Sequence, residues 1–202
     1  LPSYKKEFFQ QIDRIAHLME ESPRKEELQE EFFAICSDID SSLLHGRTRK
    51  KPLGYAGDFE LIDWIYTRKT APSGRGKLFD QLFHTYEAAV SVRNRKDYFI
   101  RKCQELSHQH RGRFEVLDLG CGSCRDVLET YVSSNNGHNL YFHCVDSEPQ
   151  ALKYARTLLS KHDLLKRVHL DTTNVFRLNT TKKYDLIWSA GLFDYLEKRI
   201  AV

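Results

Sequence analysis

The chain has 202 residues, of which 41% are apolar and 29% charged, with 10 glycines, 5 prolines and a net charge of +3. This is the composition of a folded globular protein and excludes disordered, collagen-like and low-complexity chains. So small and evenly spread a charge argues against a dedicated nucleic-acid binder, and no apolar run approaches the ~18 residues that cross a bilayer. Five cysteines, an odd number unevenly spaced, are expected as reduced thiols in a cytoplasmic protein.

The first half reads as all-helical. Apolar residues recur at helical spacing at Tyr4, Phe8, Ile12, Ile15 and Met19, and again at Leu28, Phe32, Ile35 and Ile39. Ser22-Pro23 between them reads as an N-cap followed by a proline in the first helical position. A polar, glycine-bearing stretch from Gly46 to Gly57 reads as loop, and a short helix follows from Asp58 to Tyr66. Pro72-Ser73-Gly74-Arg75-Gly76 is a second loop. Leu78, Leu82, Tyr86 and Ala89 restart a helical pattern that runs, with a break, to Ser107.

Beyond Arg113 the pattern changes to strands alternating with helices. Phe114 to Leu119, Leu140 to Val145, Val168 to Leu170 and Tyr184 to Ser189 read as strands. Arg125 to Val132 and Glu148 to Lys161 read as helices, and Asn135-Asn136-Gly137 as a turn. Such alternation predicts an α/β fold, a Rossmann-like parallel sheet covered on both faces. Two regions are therefore expected: a helical cap over residues 1–112 and the sheet domain over 113–202.

The chemistry concentrates where the first strand hands over to its helix, at Asp118-Leu119-Gly120-Cys121-Gly122-Ser123-Cys124. Glycines there permit a tight turn close to a ligand, and the free N–H groups of a helix start attract negative charge. Asp146 ends the next strand, 26 residues after Gly120, where a carboxylate suits both hydroxyls of a ribose. Asp146 equally suits the N-cap of the helix at Glu148-Pro149, and Ser147 offers to cap while Asp146 binds. A dinucleotide site fits poorly, since the third glycine of Gly-x-Gly-x-x-Gly is replaced by Arg125. Cys121-Gly122-Ser123-Cys124 has the spacing of a thiol–disulfide oxidoreductase, but that reading leaves Asp146 without a task. No metal site is expected, because no second cysteine pair or spaced histidine pair completes four ligands.

Val116 to Cys124 resembles the first motif of class I S-adenosylmethionine-dependent methyltransferases, Asp-x-Gly-x-Gly-x-Gly, with Cys124 in place of the third glycine. The resemblance implies S-adenosylmethionine as cofactor, held by Asp118, Gly120, Cys121 and Gly122. It makes Asp146, with Ser147, the ribose site, Asn174-Val175 the adenine edge, and Ser189-Ala190-Gly191 the segment beneath the methionine moiety. A narrower resemblance rests on Pro52 to Glu60, Val92 to Arg95 and Ala190 to Leu196, which look like a bacterial subgroup related to 3-hydroxypalmitic acid methyl ester biosynthesis proteins. It implies a small-molecule acceptor such as the carboxylate of a fatty or hydroxy acid. A carboxylate is already a nucleophile, and no residue of the chain stands out as a catalytic base.

The helical half is expected to act as a lid. Tyr55, in Gly54-Tyr55-Ala56-Gly57, offers an aromatic face to the cofactor. Arg93, Arg95 and Lys96 form a cationic set for a carboxylate, Arg95 for the cofactor and Arg93 for the substrate. Phe193 and Tyr195 follow the fourth strand, where an acceptor would lie. The alternative in another class is a cofactor-binding regulatory or interaction module without turnover. Leu1 and Val202 look like cuts, and the resemblance implies seven strands, so three more are expected after Val202. The sheet edge thus left open invites pairing with a second copy, and the fragment alone is expected to be a poor catalyst.

Overall fold

The computed structural model describes residues 2–133 and 139–195, so the turn expected at Asn135 to Gly137 and the residues after Tyr195 lie outside it. Six α-helices precede the first strand: α1 (Pro2–Glu20), α2 (Lys25–Ile35), α3 (Leu43–Lys50), α4 (Phe59–Tyr66), α5 (Gly74–Phe83) and α6 (Glu87–Gln109). The remainder runs β1 (Phe114–Leu119), α7 (Arg125–Ser133), β2 (Leu140–Asp146), α8 (Pro149–Ser160), β3 (Val168–Thr172) and β4 (Leu186–Trp188).

All four strands are parallel, in the order β3-β2-β1-β4. The chain moves outward from β1 through β2 to β3 and then returns past β1 to β4. The strand order therefore reverses at β1, and the carboxyl end of β1 is where a ligand site is expected in such a sheet.

One face of the sheet is buried. Phe114, Val116, Leu140, Phe142, Cys144 and Val168 share a core with Phe99 and Cys103 of α6, Val127 of α7 and Leu152, Ala155 and Leu159 of α8. Phe99 is fully buried, its ring 6.2 Å from Phe142 and 5.0 Å from Trp188. α6 therefore packs with the sheet layer. The other face carries Glu115, Tyr141, His143, His169, Asp171 and the exposed Ile187 around the buried Leu117 and Val145, and no described helix joins a hydrophobic cluster there. Right-handed crossovers explain why: β1-α7-β2 and β2-α8-β3 both place their helix on the same face. The connection that reverses direction, from β3 to β4, holds only a 3₁₀ turn at Val175–Arg177.

The helical half departs from expectation in two places. α2 begins at Lys25 and not at Pro23; Ser22 Oγ accepts from Arg24 N at 3.1 Å, so Ser22-Pro23 forms the turn before the helix. α3 occupies part of the stretch expected to be loop. Asp80 of α5 holds it: its buried carboxylate accepts from Ser42 Oγ at 2.5 Å, Leu44 N at 3.0 Å and Ala71 N at 2.7 Å. Gly76 lets α5 come this close, since a Cβ there would stand 2.2 Å from Ser41 O.

Two histidines flank Asp80 and make this half acid-sensitive. Burial pushes His45 and His84 below the ordinary imidazole value, more than Asp80 and the Lys69 carbonyl raise them. Each binds its proton more weakly folded than unfolded. Their contribution is present above about pH 6.5 and is lost as pH falls below it. Thermal melts followed by circular dichroism should show a lower melting temperature at pH 5 than at pH 7.5. A variant carrying His45→Gln and His84→Gln should lose much of that difference.

Candidate functional site

The turn after β1 is built by its backbone. Gly120 and Gly122 take φ of +73° and +55°, in the left-handed region that glycine enters freely. Gly120 N and Cys121 N both donate to Val145 O, at 2.8 and 3.2 Å, which fastens the turn to the end of β2. Cys124 also lies in the left-handed region, at φ +52°. A side chain there costs roughly 1–2 kcal/mol of backbone strain, which is why the corresponding position of the motif it resembles is a glycine.

Asp146 turns toward this bend. Its Oδ2 accepts from Gly122 N at 2.8 Å and its Oδ1 from Glu148 N at 2.9 Å. The carboxylate is half-buried and retains lone pairs beyond those two bonds. Ser147 is exposed and does not cap α8. The N-cap is Glu148, whose side chain accepts from Gln150 N at 3.0 Å. Asn174 lies just past β3, beside Asp146, whose carbonyl accepts from Thr173 N at 3.1 Å. The Asn174 side chain caps the 3₁₀ turn that Val175 begins, accepting from Phe176 N at 2.9 Å.

The other flank is closed by the segment after β4. Ser189 Oγ donates to Leu119 O at 3.0 Å, holding Ser189-Ala190-Gly191 against the end of β1. Leu192 Cβ would stand 3.6 Å from a Cβ on Gly120. Arg95 arrives from α6: its Nη2 would stand 3.7 Å from a Cβ on Gly191, and its Nη1 is 3.5 Å from Asp194 Oδ2. Its Nε is buried with no hydrogen-bond partner. Below the turn, Asp118 is buried with Oδ2 equally unpartnered. Burial raises the Asp118 carboxyl well above its ordinary value, helped by Asp126 and Cys124. A buried acid and a half-buried guanidinium, each with one buried polar atom unspent, flank the same turn. This pair suits a ligand bearing both an ammonium and a carboxylate.

Not every expected residue joins the site. Arg93 is buried against the C-terminal end of α5, its Nη2 donating to His84 O at 2.7 Å and its Nη1 buried without a partner. Lys96 is paired with Glu129 of α7. Tyr55 is half-buried in the loop leading to α4. Phe193 is 60% exposed, and the Tyr195 side chain lies outside the described residues.

Sequence reasoning missed four contributors. Phe59, the first residue of α4, has its Cβ 3.5 Å from where a Cβ on Gly122 would be. Asp63 on the same helix takes Arg125 Nε at 2.8 Å, Arg125 Nη2 at 3.1 Å and Tyr154 Oη at 2.7 Å. Tyr66 is half-buried, its phenol pushed up by desolvation within the fields of Asp126, Arg95 and Asp118. Cys144 of β2 completes a cluster with Cys121 and Cys124, all three buried, with sulfurs within 4.8 Å of one another. Hydrogen bonds from Cys121 and Cys144 pull the Cys124 thiol down to about 5, while burial pushes Cys121 and Cys144 up. All five cysteines are free. A second group, His143, His169 and Asp171, lies in mid-strand on the other face, where His143 already meets Tyr184 Oη at 2.6 Å.

Residues 110–200, just under half of the chain, match a family model described as a methyltransferase domain. Among solved structures, a possible exported protein from Bordetella parapertussis is similar over 72% of this chain, with 25% identity and a TM-score of 0.56. The chain spans about half the length of that protein, 49%. PKMT2 from Rickettsia typhi in complex with AdoHcy matches 50% of this chain and 20% of its own, at 18% identity and a TM-score of 0.40. A SAM-dependent methyltransferase from Geobacter sulfurreducens in complex with S-adenosyl-L-homocysteine matches 47% of this chain and 36% of its own, at 15% identity and a TM-score of 0.39. No curated protein matches the chain. The parallel sheet, its strand order and the helices packed on it form a Rossmann-like α/β fold, and the methyltransferase-domain model matches the part of the chain that contains it.

Proposed function

We propose that the chain binds S-adenosylmethionine over the carboxyl ends of β1 and β2 and methylates a small acidic molecule, the carboxylate of a fatty or hydroxy acid. The observation that supports this most is Asp146, whose carboxylate bridges the glycine turn and the start of α8 with lone pairs to spare. When bound, the cofactor supplies a methyl group on a sulfonium sulfur, and an acceptor carboxylate attacks it without first losing a proton. The protein's share of the work is then to hold, orient and exclude water.

Asp146 accepts the ribose hydroxyls, and Asn174 and Val175 flank the adenine. Asp118 meets the ammonium of the methionine end and Arg95 its carboxylate, over a floor formed by Ser189, Ala190 and Gly191. Gly120, Cys121 and Gly122 let the ligand approach the backbone. Phe59, and Tyr55 in the loop before it, shield the site from the helical side. The acceptor lies toward Phe193 and Tyr195. The acid is the substrate class implied by the 3-hydroxypalmitate subgroup resemblance, and it matches a site in which no described residue offers itself as a base. Five free thiols suit a reducing cytoplasm, and the β4 edge is where a second copy would pair. Among the described residues, no helix is long and apolar enough to cross a membrane.

Calorimetry with S-adenosylhomocysteine and with methylthioadenosine, which lacks the amino-acid end, tests the binding. Both should bind at one site, and no heat with either would overturn the reading. Arg95→Gln should weaken S-adenosylhomocysteine roughly 10-fold or more, about 1.5 kcal/mol for a charged hydrogen bond, and leave methylthioadenosine unchanged. Labelled methyl transfer to a panel of fatty and hydroxy acids tests the reaction. Binding without transfer to any acid would make the chain a cofactor-binding module.

A further inference from the structure

We propose that Cys121, Cys124 and Cys144 form a trithiolate site for one thiophilic d¹⁰ cation, zinc(II) or copper(I), beneath the glycine turn. Two cysteines come from the turn and the third from the adjacent strand, so the ligands converge from two separate parts of the chain. Their sulfurs lie within 4.8 Å of one another. With metal–sulfur bonds of about 2.3 Å, three sulfurs around a planar ion stand about 4 Å apart, so sub-ångström adjustments close the site.

A further observation points the same way. Cys124 keeps the left-handed backbone, φ +52°, that a glycine would adopt without strain, and its sulfur joins the cluster. Packing alone would be served by a residue in a relaxed conformation, whereas a ligand is worth a strained one. Three thiolates satisfy three-coordinate copper(I), whereas zinc would add a water in its fourth position. On binding, each coordinating thiol releases its proton to the buffer, and no sulfur changes oxidation state. The ion adds a link between the turn and β2 beside the two N–H bonds to Val145 O. The site does not depend on which cofactor the turn binds.

The whole reduced chain should be titrated with zinc(II) and, anaerobically, with copper(I), each against a chromophoric chelator, with the stoichiometry read by native mass spectrometry. One equivalent bound per chain is expected. Cys124→Gly, which suits the backbone, and Cys144→Ala should each weaken binding at least 100-fold, while Cys36→Ser, outside the cluster, should not change it. Circular dichroism confirms that the variants remain folded. Failure of the reduced chain to take up either ion, or equal uptake by Cys124→Gly, would overturn the proposal. So would a Cys121–Cys124 disulfide in the isolated protein that, once reduced, binds no metal.

Discussion

Replacing Asp146 by alanine should weaken S-adenosylhomocysteine about 100-fold or more, and methylthioadenosine by the same factor. The carboxylate does two things at once. It accepts the N–H groups of Gly122 and Glu148, at 2.8 and 2.9 Å, and so sets the distance between the β1 turn and the start of α8. Its remaining lone pairs are then available to a ligand diol lying between them. Two hydrogen bonds to a charged group, at about 1.5 kcal/mol each, correspond to a little over 100-fold in affinity. The variant also leaves two backbone donors to find water, which should lower stability by about 1–2 kcal/mol. Asp146→Asn is not a gentle control, because an amide nitrogen would face one of the two N–H donors. The pattern across ligands is diagnostic: Arg95→Gln should spare methylthioadenosine, while Asp146→Ala should spare neither. Equal binding by wild type and Asp146→Ala, measured by calorimetry on folded protein, would remove the ribose role.

The sheet domain was legible in the sequence because its signals are local. Strands of β-rich residues, a glycine turn and a carboxylate at a strand end follow one another within a few residues, and physics ties each to a definite place. What escaped is held together over long sequence distances. α3 looks like loop because Gly46 and a run of basic residues dominate it. It exists because Asp80, more than thirty residues away, caps its start. Cys144 could not be joined to Cys121 and Cys124 until β2 was seen to pair with β1 in register, with Cys144 opposite Asp118. Arg93 and Arg95 look equivalent in sequence. Only the position of α5 shows that the first is buried under a helix end and the second reaches Gly191. Coverage of the second face was expected from fold class, but handedness assigns α7 and α8 to the same side.

Asp63→Ala should be the most destabilising single change at the junction between the helical half and the sheet, at about 3–5 kcal/mol. Asp63 is 3% exposed and serves three donors, two from Arg125 and one from Tyr154. Arg125 begins α7 and Tyr154 belongs to α8, so one carboxylate on α4 pins that helix to both crossover helices. Its removal leaves a largely buried guanidinium without its counter-ion, and that uncompensated charge supplies most of the cost. Removing both charges should therefore cost less than the sum of the single changes. In urea denaturation, Asp63→Ala with Arg125→Met should recover part of the loss seen in Asp63→Ala alone. The effect should reach the ligand site, because the same helix carries Phe59, which leans over Gly122 and packs 5.7 Å from the Tyr154 ring. At a temperature where Asp63→Ala is still folded, its affinity for S-adenosylhomocysteine should fall several-fold, although Asp63 itself touches no ligand. A stability loss with unchanged affinity would mean that α4 holds the fold together without covering the cofactor.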